Sequence, residues 1–408
     1  MIYWAPFLHF YQPPTQYKPV LDRIAKESYA PLLKVFKAHP ESRITINISG
    51  VLTEMLSDYG YKSILSNMGE LAEKGQLEFV ESAKYHAILP LIPPKEAIRQ
   101  IELNNKTNSY YFKSSYKPRG FFLPEMCYSD AAASIVSKKG YEWVIVSGVS
   151  CPDGWPLDVI YNAGPKAGGI KVFFRDDIIS NRISFRSVDP KGFVHALKDL
   201  AKDREDIYVV TAMDGETFGH HIRDWENLFL GELYEMLEKP EYADDIKVVN
   251  VSALLKEFPV KRSKPPEPSS WSTTKEEIAK GNYYPLWQDP ANKIHALQWD
   301  HLEICFEILR EAARKRHNDK SKKFFILARE ALDKALHSCQ FWWANKPRKL
   351  WNENMINKGL VLQEEVIFNA YKAIELSGAR ESERKSIYYS YVAPARYIAG
   401  KILDAILI

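Results

Sequence analysis

Through about residue 258 the chain alternates short, almost wholly apolar runs with longer stretches whose apolar residues recur every three or four positions. The short runs predict strands at 2–9, 43–48, 77–81, 120–123, 142–146, 171–174, 207–212 and 246–249. Amphipathic stretches at 21–38, 54–74, 95–113 and 225–239 predict helices between them. Strands that alternate with helices point to a parallel sheet with helices outside it. Seven or eight such units suggest an irregular α/β barrel of the TIM-like kind, with an open doubly wound sheet as the other arrangement.

After residue 292 the pattern changes. Segments 293–316, 321–344, 353–377 and 382–406 carry helical periodicity and no strand-like runs, which predicts a C-terminal helical bundle over 293–408. Between the two patterns, 259–270 holds four prolines and three positive charges, so 259–292 reads as a linker or strap, one that contributes to a cleft. No fixed-period repeat is present. The expected organisation is a catalytic barrel over 1–258, the strap, and the bundle.

Composition narrows the function. A net charge of +3, from 55 Lys and Arg against 52 Asp and Glu, gives no argument for nucleic acid, and the basic cluster at 261–264 reads as solvated linker. No apolar run approaches the roughly 20 residues of a membrane helix. The opening Met1-Ile2-Tyr3-Trp4 reads as a buried strand rather than a secretion signal. Cys127, Cys151, Cys305 and Cys339 lack paired or metal-like spacing, which suits reduced thiols and a cytoplasmic location. No cofactor or metal is expected; a set of His9, Asp214 and His220 lacks the tight two-histidine spacing of a zinc site. Ten Trp and 23 Tyr, several beside polar residues, offer faces on which sugar rings stack, although most serve the core.

The chemistry falls at the strand ends. In a parallel barrel the loops after the strands form one open face, where catalytic groups gather. Here those ends carry His9, Tyr11 and Gln12, then Glu81, then Glu125, then Asp214 and Glu216. A pair of carboxylates is what glycoside cleavage needs: one protonates the departing oxygen and the other attacks or stabilises the anomeric carbon. Glu125 and Asp214 are flanked by apolar residues that would raise a carboxyl pKa. His86 stands evenly between a structural and a functional role, and one of His220 and His221 could hold a sugar hydroxyl or a loop. In the bundle, Trp343, Asn345 and Trp351 combine indoles and amides in a way that suits a sugar cleft, whereas Trp342 reads as packing.

Four segments resemble the signature regions of glycoside hydrolase family 57, which contains α-amylases, 4-α-glucanotransferases, branching enzymes and amylopullulanases. They are Leu8-His9-Phe10-Tyr11-Gln12-Pro13, Gly75-Gln76-Leu77-Glu78-Phe79-Val80, Gly120-Phe121-Phe122-Leu123-Pro124-Glu125, and the run from Met213 to His221. Ser270-Trp271-Ser272 is similar to the weaker fifth region. The resemblance implies an irregular (β/α)7 barrel, with Glu125 as nucleophile and Asp214 as general acid/base. It also implies His9, Gln12, Glu81, Glu216 and Trp271 around the donor sugar. Tyr11 replaces the second histidine usual in the first region, and Pro124 replaces a small residue before the glutamate. The expected activity is therefore retaining hydrolysis or transfer on α-glucans or maltooligosaccharides. A catalytically weak glycan-binding protein on the same scaffold, or a metal-dependent sugar deacetylase, are the alternatives.

Overall fold

The computed structural model describes residues 1–152, 156–262, 265–315 and 317–407, so 263 and 264 of the expected basic cluster lie outside the described residues. The chain forms two compact units, Met1–Ala279 and Lys280–Ile408, and the boundary falls inside the expected strap.

The first unit is built on seven strands: β1 (Ile2–Phe10), β2 (Ile44–Ile48), β3 (Leu77–Val80), β4 (Gly120–Phe122), β5 (Trp143–Ser147), β6 (Lys171–Arg175) and β7 (Ile207–Asp214). Parallel pairing runs β3–β2–β1–β7 and β4–β5–β6, and β6 joins β7 through Arg175 and Val210. The circuit closes at Glu81, which bridges in parallel to Phe121; its amide donates to the Gly120 carbonyl at 3.0 Å and its carbonyl accepts from Phe122 at 2.8 Å. The ring is an irregular (β/α)7 barrel. The eighth expected strand exists as Ile246–Val248 but pairs only with residues 2–4 at the start of β1, so it lies outside the ring. Two short strands were not expected, Ile160–Asn162 and Val260–Arg262. They pair with each other in parallel, which makes the start of the expected strap part of the sheet.

Pro6, inside a central strand, needs a reason, because proline cannot donate to a ladder. The carbonyls of Trp4 and Phe10 accept from Val249 and Ser49, so the even residues of β1 turn their backbone toward that edge. Along it the partner changes from 246–248 to β2, which pairs with 7–10. Pro6 falls in the gap, where no donor is required.

Alternation of side chains sorts the wall into two faces. Tyr3, Ala5, Phe7, Val80, Phe122, Ile145, Phe173, Val210 and Ala212 fill the interior. Ile2, Trp4, Leu8, Ile46, Phe79 and Val209 pack outward under helices such as Ala30–Ala38 and Lys62–Glu73. Each such large side chain stabilises the fold by about 1.5–3 kcal/mol when fully buried. Gly120 is required by packing, since a Cβ there would stand 2.1 Å from the indole of Trp143.

In the second unit the helices Lys293–Lys315, Asp319–Ala335 and Glu353–Leu376 pack together, with Glu381–Ile387 and Ala393–Leu407 completing the bundle. Asn318 caps the second of these by accepting from the Ser321 amide. The helix expected through 344 stops at Ala335. It is followed by the short Cys339–Trp342 helix and an antiparallel pair, Ala344–Asn345 with Leu350–Trp351. Widened π-helical turns occur at Ala25–Tyr29 and Tyr388–Val392, each two residues before a proline, Pro31 and Pro394. A proline ring collides with the carbonyl four residues earlier, and widening that turn relieves the clash. Among the described residues no helix is long and apolar enough to cross a membrane.

Candidate active site

The site is assembled where the interior face of the wall meets the strand ends. Beyond β4, Leu123 is extended at φ −66°, ψ 123°, as the following proline demands. The chain then enters left-handed backbone at Glu125 (φ 58°) and Met126 (φ 51°). For residues other than glycine this costs about 1–3 kcal/mol each and persists only where the surroundings hold it. Here the Met126 amide donates to the Leu123 carbonyl, and the Met126 side chain is sunk in the interior cluster. Trp271 clasps Glu125 twice: its amide donates to the Glu125 carbonyl at 3.2 Å and its indole Nε1–H to Oε2 at 2.9 Å. His86, itself left-handed at φ 57°, sets Nδ1 3.6 Å from Oε1 of Glu125. The Glu125 side chain keeps 12% of its surface exposed, so the held carboxylate still meets solvent.

His9 is the centre of an aromatic stack. Its ring lies 4.7 Å from His86 and 4.6 Å from Phe122, both near parallel, and Trp271 meets it edge-on at 5.9 Å. Tyr11 stacks on the other ring of the pair, 4.1 Å from His86. Nδ1 of His9 bonds Oδ1 of Asn47, its register partner on β2. Burial pushes the His9 imidazole down to about 4, against the opposing effect of Asn47, so the ring is neutral near pH 7.

On the opposite flank of β1, His9 is in register with Asp214, the last residue of β7. Asp214 is packed among protein atoms yet retains a partial opening to solvent. Burial raises its carboxyl pKa, and the nearby Arg175 guanidinium pulls part of that back. Arg175, ending β6, is fixed by the Ala212 carbonyl at 2.7 Å, Asp177 at 2.7 Å and Asn181 at 2.8 Å. Glu216 follows in a tight turn. Its Oε1 accepts from Gln12 Nε2 at 2.8 Å and from the Tyr29 hydroxyl. Burial first, and the charge of Asp214 second, raise the Glu216 carboxyl as well. Asp214 and Glu216, two acids that both resist ionisation, can give and take protons, and Glu125, on the other side of His9 and held by an indole donor, offers a carboxylate.

Within the first unit, not every expected residue joins them. Glu81 is odd-numbered where Val80 faces inward, so its carboxylate points to the helix side. There it accepts from Asn104, from Asn105 at 3.0 Å, and from the Tyr116 and Tyr141 hydroxyls at 3.0 Å each. The expectation of a sugar contact at Glu81 is corrected: its lone pairs are taken by the fold. Gln12 acts through Glu216, because its amide oxygen is itself held by Gln16. His220 rests on Oε2 of Glu27 at 2.6 Å. Gly219 before it adopts φ 100°, and a Cβ there would strike the Glu27 carbonyl at 1.8 Å. Trp343 and Trp351 belong to the second unit, where Trp343 stacks on Trp342 at 4.2 Å and Trp351 pairs with Ala344. Sequence reading missed Asn47, Arg175 and Tyr29. The first two had a signal, a polar residue within or at the end of an apolar run. Tyr29 had none, since the π-helical turn alone brings it to Glu216. Among the described residues no three His, Cys, Asp or Glu side chains come together as metal ligands.

Residues 6–265 match the model of glycosyl hydrolase family 57. The chain is 33% identical over 226 residues to alpha-amylase 1 of Dictyoglomus thermophilum, covering 53% of this chain and 32% of that one. It is 26% identical over 260 residues to the 4-alpha-glucanotransferase of Thermococcus litoralis, covering 62% and 38%. The matched part thus spans about a third to two-fifths of these relatives' length. Among solved structures, a branching enzyme of Pyrococcus horikoshii superposes with a TM-score of 0.72 at 17% identity, over 96% of this chain and 95% of that one. The amylase AmyC of Thermotoga maritima gives 0.67 at 16% identity, over 97% and 98%.

Proposed function

The chain belongs to glycosyl hydrolase family 57, and on that premise we propose that it cleaves or transfers α-glucosidic bonds in α-glucans or maltooligosaccharides with retention of configuration. One observation carries the reading. A continuous set of contacts runs from Asp214 through its register partner His9 and the stacked His86 to the strained, indole-held Glu125. The relatives' names, alpha-amylase and 4-alpha-glucanotransferase, supply the substrate class.

In the first step a carboxylate oxygen of Glu125 attacks the anomeric carbon while Asp214 gives its proton to the glycosidic oxygen. The bond to the leaving sugar breaks and a glycosyl-enzyme ester forms. In the second, the Asp214 carboxylate takes a proton from water or from an acceptor sugar hydroxyl, whose oxygen displaces Glu125. The indole of Trp271 orients the nucleophile, and His9, a neutral imidazole, forms with the stacked His86 the floor beneath the reacting ring. Tyr11, stacked on His86, presents a phenol where the resemblance leads one to expect imidazole, which alters the hydroxyl it contacts and leaves the carboxylates untouched. Burial favours the protonated form of Asp214, while Glu216 beside it is held by Gln12 and Tyr29. The four buried cysteines, none joined in a disulfide, fit a reducing compartment such as the cytoplasm.

The test is incubation of maltooligosaccharides with wild type and Glu125→Gln, with all products separated by chromatography. Shorter products alone mean hydrolysis, and longer ones beside them mean transfer. Both disappear in the variant. A wild type that leaves α-glucans unchanged would overturn the substrate assignment.

A further inference from the structure

The second unit contains a pocket of about 400 Å³, within the range of small-molecule sites. One wall is a single face of the Glu353–Leu376 helix, carrying Glu364, Phe368 and Tyr371 at helical spacing. The facing wall is Tyr388 of the π-helical turn and Arg396 of the last helix, and His301 of the Lys293–Lys315 helix lines the pocket between them. Three features set it apart from a packing defect. Phe368 stands 60% exposed at its edge, a large ring left in solvent. Glu364 has no hydrogen-bond or ion-pair partner among the described residues, and Arg396 engages only Tyr388, by a 3.3 Å bond to its hydroxyl and by lying over its ring at 6.0 Å. His301 is fully buried with Nδ1 bonded to Gln363 at 2.9 Å, while its Nε2 has no partner. A buried polar nitrogen in that state costs about 1–3 kcal/mol unless something meets it.

The chemistry of the lining selects the ligand. An apolar molecule would strip water from Glu364, Arg396 and the imidazole without replacing it. An anion would meet the Glu364 carboxylate, which offsets the Arg396 guanidinium, while Lys372 is already paired with Glu375 at 2.6 Å. A neutral ring with apolar C–H faces and a rim of hydroxyls satisfies all of them: faces against Phe368 and Tyr371, hydroxyls accepting from Arg396 and donating to Glu364. We propose that this pocket is a second, non-catalytic binding site for one or two glucosyl units of an α-glucan chain. The proposal rests on the glucan assignment made for the barrel and extends it. Such a site anchors a polymer by adding a second attachment to the catalytic one, raising the effective concentration of chain ends without new chemistry.

Phe368 and Arg396 are exposed, so their truncation leaves the fold intact, which unchanged thermal midpoints verify. The experiment uses the whole chain in a Glu125→Gln background, which stops turnover. Migration through native gels containing amylopectin is compared for this protein, for Phe368→Ala and for Arg396→Ala. The expected result is a loss of about fivefold or more in apparent affinity for amylopectin in each added variant. Calorimetric titration with maltotriose is expected to fall from two sites to one. Equal retardation of all three proteins, or no retardation of the parent, overturns the proposal. The barrel reading is judged separately, by product formation from short maltooligosaccharides with the Phe368→Ala substitution made in the active chain. Cleavage that continues while retardation is lost is the signature of two distinct sites. Absence of cleavage with site-dependent retardation would remove the catalytic reading and keep this one.

Discussion

Glu81 and Glu125 follow neighbouring strands of one wall, and in the sequence each is an acid just past an apolar run. Their surroundings are opposite. Glu81 faces the helices and is saturated by two asparagines and two tyrosines. Glu125 is carried inward by left-handed backbone, receives one indole donor, and keeps part of its surface open. The difference lies in direction and in access: Glu81 is fully buried on the helix side, while the Glu125 side chain keeps an opening to solvent. A strand end nominates an acid for catalysis; alternation along the strand and access to solvent decide whether it is available.

The sharpest way to break that contrast is Glu125→Gln. An amide cannot form the glycosyl ester, so activity on maltooligosaccharides is expected to fall about a thousandfold or more, with the thermal midpoint little changed. Asp214→Asn comes next. Loss of the proton donor should cost about a hundredfold or more on unactivated glucans and far less on an aryl glycoside whose leaving group needs no proton. Equal losses on both substrates would remove Asp214 from the acid role. In the proposed mechanism Asp214 carries its proton into the first step, and burial raises its pKa. Activity on unactivated glucans should therefore persist above the ordinary aspartate range and fall as pH rises through that raised value, which a pH–rate profile of kcat/KM reads directly.

Trp271→Phe keeps the ring over His9 but removes the donor to Glu125. The expected cost is about tenfold in kcat/KM, the size of one hydrogen bond to a charged group. Glu81→Gln should do least to chemistry, changing kcat per folded molecule less than about twofold, while lowering stability by about 1–3 kcal/mol because two donors would face an amide NH2. Burial raises the Glu81 pKa. The stability linked to its titration is thus fully present below the unfolded value of about 4.3 and lost as pH rises through the folded one. The gap in thermal midpoint between wild type and variant is then widest at low pH. A large loss of kcat in Glu81→Gln would erase the distinction drawn between the two glutamates.

How much of this was written in the sequence follows from what periodicity can carry. All eight expected strands exist, because each is an apolar run set off by helical spacing, and the step to a closed ring needed only their parallel order. Facing was harder. In Leu77–Val80 both faces are buried, so nothing in the residues told whether Glu81 would turn in or out. The carboxylate pair and Trp271 were legible because they sit in segments with a recognisable pattern. The left-handed backbone at His86, Glu125 and Met126 was not, since no glycine marks it. Tyr29 reaches Glu216 only through a widened helical turn, and widened turns leave no periodic trace. The pocket beneath Phe368 was equally hidden, because its residues come from separate helices, each of which reads alone as ordinary amphipathic surface.

The wall described above is unevenly stitched. Between β3 and β4 it is joined by the backbone of one residue, and between β6 and β7 by one paired position, reinforced where Arg175 reaches the Ala212 carbonyl and Ser180 accepts from the Ala212 amide. These two thin seams divide the cylinder into two stiff arcs. Glu125 rides on the arc of β4, β5 and β6, and Asp214 rides on the arc of β7, β1, β2 and β3. In the proposed mechanism the separation of Glu125 from Asp214, about 5–5.5 Å for retention, is thus set between the two arcs and not within either one.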